Sequence, residues 1–391
     1  MTREHTPPRL PRGPHLQSAD SSREDPHATW FELFFDLVFV LAIALLARKL
    51  EHDPSAHGFI GFAALAVPIW WSWVIYTAYA ERFDTDEPGY RLLALVAMLG
   101  IAAVAVSLER VFHGGDAAFV VAYLVVRAVP LALYLRAGRH VPLGRELAVG
   151  YGTGSAVAAA LWLGALLLPA PERYGLWALA VLVELLTPFV RRRTVARAPI
   201  DAAHLGERFG LFTIIVIGEI VVAVGAGLTA SDLDTASGLL AIATFAIAAC
   251  LWWSYFELVG ATAAVRSFAI HMLYVFGHLP LVVGLTAVGA GTLLAIEHAT
   301  DPALDLATRV ALCGGVALFL LATAVIKIAA TGAHRHSPRS RLAAAVSALA
   351  LIPVGASFQP LITVVVLVAV LGTAVIGEAR GESVKRRAPH D

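Results

Sequence analysis

The chain has 391 residues, 58% of them apolar and only 15% charged, and its mean hydropathy is +0.74. A soluble domain is about one quarter charged, so the composition specifies a membrane protein. Lys plus Arg balances Asp plus Glu at 29 each, which removes a basic nucleic-acid platform as the default, and the two cysteines, Cys250 and Cys313, lie in apolar runs, which excludes a disulfide framework or multi-cysteine metal site.

Residues 1–29 carry five prolines, three histidines and mixed charge, with almost no large apolar side chains. Such a segment cannot bury a core and reads as a disordered cytoplasmic tail. It is not a secretory signal, because it is long and charged and the apolar run after it exceeds a signal core. A bilayer core needs about 20 mostly apolar residues per helix. Twelve stretches meet or approach that length: 30–50, 58–79, 91–108, 116–135, 147–168, 174–190, 209–228, 235–257, 268–291, 306–330, 342–355 and 360–376. The last two are short and separated by Pro353 and Pro360, so they are two tight spans or one interrupted hairpin. The expected architecture is an all-α transmembrane bundle over 30–378 with about 12 spans, in the range 10–12. Residues 379–391 form a basic cytoplasmic tail.

Basic residues set orientation. The two tails and the even-numbered loops hold 23 of the 29 Lys and Arg, and the opposite side holds five. That asymmetry predicts both termini in the cytoplasm. Two halves, 30–190 and 207–378, share a weak pattern. Glu32-Leu33-Phe34 opens the first span and Glu207-Arg208-Phe209 the seventh; Trp71-Ser72-Trp73 and Trp253-Ser254-Tyr255 occupy the second and eighth. Two parallel six-helix repeats would produce this pattern; so would coincidence in a low-complexity apolar sequence.

Charged groups inside a membrane are costly and need a reason. Glu32 and Asp36 are four apart and share a helix face. Glu32 with Thr29 fits a capping box. Asp36 lies one turn deeper, where a cap no longer helps, so the pair asks for an arginine, a shared proton or a cation. Glu207 and Arg208 open the seventh span, where Glu207 suits the first turn. Glu219 lies near mid-membrane without that excuse, so it must be paired or carry a proton. Arg127, Glu184 and His278 also lie inside spans, and Arg127 with Glu184 or Glu219 is the most economical buried pair. Glu81, Asp84 and Glu257 sit at helix C-termini, where the dipole disfavours anions; a salt-bridged solvated rim or a cation entrance accounts for them.

The aromatic groups Trp70, Trp71, Trp73 and Trp252, Trp253, Tyr255 read first as interfacial belts. Gly150 and Gly154 form a face for close helix packing. No phosphate-binding loop, His-Glu-x-x-His, Cys-x-x-Cys or serine-elbow motif occurs.

Phe31-Glu32-Leu33-Phe34-Phe35-Asp36-Leu37-Val38-Phe39-Val40 resembles the opening motif of the bacterial low temperature requirement A family. So do Gly206-Glu207-Arg208-Phe209-Gly210-Leu211-Phe212, Ile214 through Glu219, Trp252 through Glu257, and Gly277-His278-Leu279. The resemblance runs from Trp30 to about Gly291. It implies a multi-pass protein of the bacterial cell membrane whose recurrent polar positions match Glu32, Asp36, Asp84, Glu207, Arg208, Glu219, Glu257 and His278. It transfers no catalytic role, and the cold-growth phenotype in the family's name is not evidence of cold adaptation here. A proton- or cation-coupled secondary transporter accounts best for the intramembrane acids. The alternatives are a membrane-embedded enzyme acting on a lipid or isoprenoid-like substrate and a non-catalytic stress or sensing component. The expected partners are the bilayer and an unidentified small molecule or ion, without nucleic acid. No metal site is expected, since His, Cys and carboxylate ligands at a recognised spacing are absent; a homo-oligomer is compatible with the sequence, and a cofactor is not specified by it.

Overall fold

The computed structural model describes residues 29–83, 87–111, 115–198, 202–231, 233–256, 267–331 and 339–387. Most of the N-terminal tail, Asp84 and Glu257 lie outside the described residues. Within them the structure is helical with no strand, and twelve helices are long and apolar enough to cross a membrane. The protein is an all-α multi-pass bundle.

In chain order the elements are α1 (Trp30–His52), α2 (Ala56–Ala80), α3 (Pro88–Val111), α4 (Ala117–Ala137), α5 (Pro142–Ala165), α6 (Glu172–Val190), α7 (Arg192–Arg197) and α8 (Ala202–Ala230). They continue with α9 (Thr235–Phe256), α10 (Phe268–Glu297), α11 (Leu306–Arg309), α12 (Gly315–Thr331), α13 (Arg339–Val354) and α14 (Pro360–Arg387). A π-helical turn, Val310–Gly314, joins α11 to α12, so the three form one interrupted span. The two short C-terminal stretches become separate spans, Arg339–Ser357 and Pro360–Glu378. They are longer than their apolar runs because the charged residues at their ends are helical too.

Several starts are written locally. Thr29 caps α1 and Glu32 closes the reciprocal bond. Pro142 opens α5, where its missing N–H has no helical partner to lose. Ser267 caps α10, and Asp305 caps α11. The start of α8 differs from expectation. It begins at Ala202, so Glu207 and Arg208 lie in its second turn and not at its first.

The chain divides into two compact units. The described part of the first runs from Trp71 to residue 198, with the end of α2 followed by α3 to α7. Here α4 packs on α3 and α5, and α5 on α6. Gly154 lies against Thr187, whose Cγ2 would be 3.0 Å from an added Cβ, so the small-residue face of α5 does admit α6. Aromatic rings fill this core: Tyr79 stacks on Phe83 and Tyr90, and Phe119, Tyr123, Trp162 and Trp177 form a second group. Pro130 interrupts α4 and cannot donate to the carbonyl of Val126 one turn earlier. The Tyr76 hydroxyl donates to that carbonyl at 2.9 Å. An orphaned backbone group in a membrane is thus satisfied by a neighbouring helix.

The described part of the second unit holds α1, the start of α2 and α8 to α14. Its centre is α10, the most buried span. Gly277, Gly284 and Gly291 repeat every seventh residue and so share one face of α10. An added Cβ at Gly284 would lie 2.7 Å from the carbonyl oxygen of Gly315, and the converse distance is also 2.7 Å. At Gly277 and Gly291 the obstructing residues are Ile326 and Leu312. At Gly284 and Gly291 glycine is required because the backbones of α10 and the interrupted span meet almost directly, and at Gly277 because the Ile326 side chain fills the space.

The tryptophan groups separate. Trp70, Trp71 and Trp73 are buried and do not form an interfacial belt, whereas Trp252 and Trp253 are about half exposed, as a belt requires. Tyr255, two residues on, points inward and is buried.

Candidate functional site

Several groups of ionisable residues are buried among the described residues, and four of them bear on how the spans are joined. The first joins α1 to α8. Arg208 places Nη1 2.8 Å from Glu32 Oε1 and donates from Nη2 to Asp36 Oδ1 at 2.6 Å. All three side chains are almost fully buried. Glu32 therefore does two jobs. Its Oε2 accepts from the Thr29 backbone N–H at 2.8 Å as the N-terminal cap, and its Oε1 meets the guanidinium. His204, one turn before Arg208 on α8, brings Nε2 to 3.6 Å from Glu32 Oε2. The two carboxylates that ask for an arginine receive one from 172 residues away. A planar fork spanning two acids fixes the register of two helices, which a lysine could not do as well.

The second group lies in the first unit. Arg127 Nε donates to Glu184 Oε1 at 3.1 Å, and the Tyr123 hydroxyl donates to Glu184 Oε2 at 2.6 Å. Tyr123 and Arg127 are one turn apart on α4, so one helix face clamps both oxygens of an acid on α6. Of the two partners considered for Arg127, the geometry selects Glu184.

The third group surrounds His278 on α10. Its Nδ1 faces only the Tyr274 carbonyl, at 2.8 Å, and therefore donates. Nε2 lies 2.9 Å from the Tyr255 hydroxyl. Both ring nitrogens are thus hydrogen-bonded. His271, seven residues earlier, is also buried.

The fourth group was not anticipated from sequence. Arg341 on α13 is wholly buried and donates from Nε and Nη2 to both oxygens of Glu378 on α14, at 2.7 and 3.0 Å. Nη2 also donates to the Ser254 carbonyl near the end of α9 at 2.9 Å, and Lys327 lies 3.6 Å from Glu378. Both arginine and glutamate stand at the edges of apolar runs, where they read as loop and tail. The only local signal is that each is helical by propensity.

Glu219 is different. It sits mid-way along α8 and is partly buried, with no hydrogen bond or ion pair among the described residues. The charge that acts on it is Arg48, near the end of α1. Beside it, Gly218 faces open space, and the backbone carbonyl oxygen of Glu219 lies 4.0 Å from where a Cβ on Gly289 would stand. Glu207 is half-buried beside Arg208. Glu81 is buried, which corrects the expectation of a solvated rim at the end of α2. Among the described residues no three His, Cys, Asp or Glu side chains converge as a metal set.

The fold and these sites define a polytopic α-helical membrane protein with charged side chains paired across its helices. The chain belongs to the bacterial low temperature requirement A protein family, which it matches over residues 27–376. It is also similar to an uncharacterized protein of Rhizobium meliloti (strain 1021), 29% identical over 366 residues, which cover 87% of each chain.

Proposed function

We propose that the protein is a proton-coupled secondary transporter of the bacterial cell membrane, in which Glu219 carries the coupling proton. The observation that supports this reading is that Glu219 makes no hydrogen bond or salt bridge among the described residues. Glu32, Asp36, Glu184 and Glu378 each face an arginine, and those ion pairs account for their burial without any transport. Glu219 makes no such ion pair: the Arg48 charge acts on it without salt-bridge contact, and a partly buried intramembrane acid held this loosely is suited to bind a proton or a cation. In this reading the Arg208 and Arg127 groups hold the helices in register, and movement of substrate is coupled to loading and release of one proton at Glu219. His278 serves as a fixed polar neighbour in the core of α10.

The test is proton flux into liposomes holding purified protein and a pH-sensitive dye, challenged in turn with a panel of inorganic cations and small organic ions. Wild-type protein is expected to move protons with at least one of them, and Glu219→Gln to lose that flux while remaining folded. Equal flux in Glu219→Gln would remove Glu219 from the mechanism. A protein shown to be folded that moves no protons with any member would overturn the transporter reading.

A further inference from the structure

The first unit carries a second feature that the ion pairs do not use. An open cleft of about 730 Å3 lies where α4 ends, α5 begins and α6 ends. Arg139, His140, Arg145 and Arg191 all line it. Its one lining acid, Glu146, forms a salt bridge with Arg197, which does not line the cleft, so the lining keeps three arginines against one acid.

Local structure brings these cations to one opening. Gly138 lies so close to α5 that an added Cβ would be 2.8 Å from Arg145 Cα. That contact folds the short connection tightly and brings Arg139 and His140 to the same opening as Arg145. Arg191 comes from the far end of α6. Its stem crosses Gly150, where an added Cβ would be 3.3 Å from Arg191 Cγ, and its Nη2 donates to Thr153 Oγ1 at 3.2 Å. Val141 and Pro142 offer no side-chain oxygen to the first turn of α5, whose N–H groups add to the positive potential.

We propose that this cleft binds the phosphate of an anionic phospholipid headgroup. Several arginines converging on one opening suit a phosphate better than a carboxylate-sized or neutral group. The lipid source is favoured over free phosphate by position. The cleft sits at the ends of three candidate spans, and one of its walls is Val149, a 57% exposed apolar residue on α5. A headgroup among the arginines would leave its acyl chain along that apolar wall. Basic pockets between spans on the positively charged side are a known way of retaining anionic lipids. A general excess of arginine that only orients the protein would not need a cleft, so the two cases can be separated.

The experiment titrates dioleoyl phosphatidylglycerol, dioleoyl phosphatidylcholine and inorganic phosphate against full-length protein in detergent, reading bound lipid by native mass spectrometry and competition by phosphate. Two variants carry the same loss of charge: Arg139→Gln/Arg145→Gln inside the cleft, and Arg192→Gln/Arg193→Gln outside it on the same side. Phosphatidylglycerol is expected to bind in preference to phosphatidylcholine. The cleft variant should lose about tenfold in affinity or more, and the outer variant less than about twofold. Equal losses in both variants would overturn the site, because bulk charge would then explain binding. Binding of phosphatidylcholine as strong as that of phosphatidylglycerol would overturn it too. Inorganic phosphate that binds the cleft and displaces the lipid at comparable concentration would overturn the lipid assignment.

Discussion

Two regions of one helix behave differently. At the start of α8, Arg208 is buried between Glu32 and Asp36, and every charge has an opposite charge within 2.8 Å. Half-way along the same helix, Glu219 has neither a hydrogen bond nor an ion pair among the described residues. The Arg208 group is buried and Glu219 only partly so, hence burial alone does not mark function. A paired group explains its own presence by holding two helices together. Glu219 has only the charge of Arg48 acting on it, with no bond that fixes one helix to another, and an intramembrane acid so placed is open to chemistry.

The comparison makes ordered predictions. The largest effect belongs to Arg208→Ala, which strands two buried carboxylates. Loss of one partner of a buried pair costs about 3–5 kcal/mol, so this variant should accumulate poorly and unfold at much lower temperature in detergent. Arg208→Lys should recover only part of that loss, because an ammonium cannot span both acids in the same plane. Gly284→Ala follows, at about 1–3 kcal/mol, since its methyl would meet the Gly315 carbonyl oxygen at 2.7 Å with no flexible side chain to yield. Tyr123→Phe should cost about 1 kcal/mol, as it removes one of the two donors to Glu184 but leaves Arg127 in place. Each can be read from thermal unfolding of purified protein. Glu219→Gln belongs at the bottom of this stability series, below about 0.5 kcal/mol, and at the top of any activity series. A Glu219→Gln protein as unstable as Arg208→Ala would collapse the distinction between the two regions.

A further small effect lies outside the spans. Asp234 precedes α9 and accepts the Ser237 N–H at 2.7 Å, which holds its carboxyl below the usual aspartate range. The lowered value means that its contribution is present above the ordinary aspartate pKa and fades as pH falls through the lowered one. Asp234→Ala should therefore narrow the difference in stability between neutral and acid pH, measured by unfolding across that range.

Much of this arrangement was legible in the sequence, for a local reason. The capping box at Thr29 and Glu32, the shared face of Glu32 and Asp36, and the need of that pair for an arginine all follow from helical spacing. So does the small face at Gly150 and Gly154. The identity of the arginine did not follow, because Arg208 comes from 172 residues away and spacing says nothing about which helices meet. For the same reason Arg127 was left between Glu184 and Glu219. Arg341 and Glu378 escaped notice because hydropathy ends a span at the first charged residue, whereas α13 and α14 carry these residues inside the helix and bury them. The sevenfold spacing of the α10 glycines carried no meaning without the interrupted span that packs against it.

The most direct test of the central claim does not require a known substrate. Infrared difference spectra of the protein in lipid, recorded across a pH step, report protonated carboxyl groups through their C=O stretch. The account predicts a pH-dependent carboxyl band in wild-type protein that is absent from Glu219→Gln and retained in Asp36→Asn, provided the latter folds. A band that survives Glu219→Gln unchanged, or that disappears only with Asp36, would contradict it and place the titrating proton in the Arg208 group.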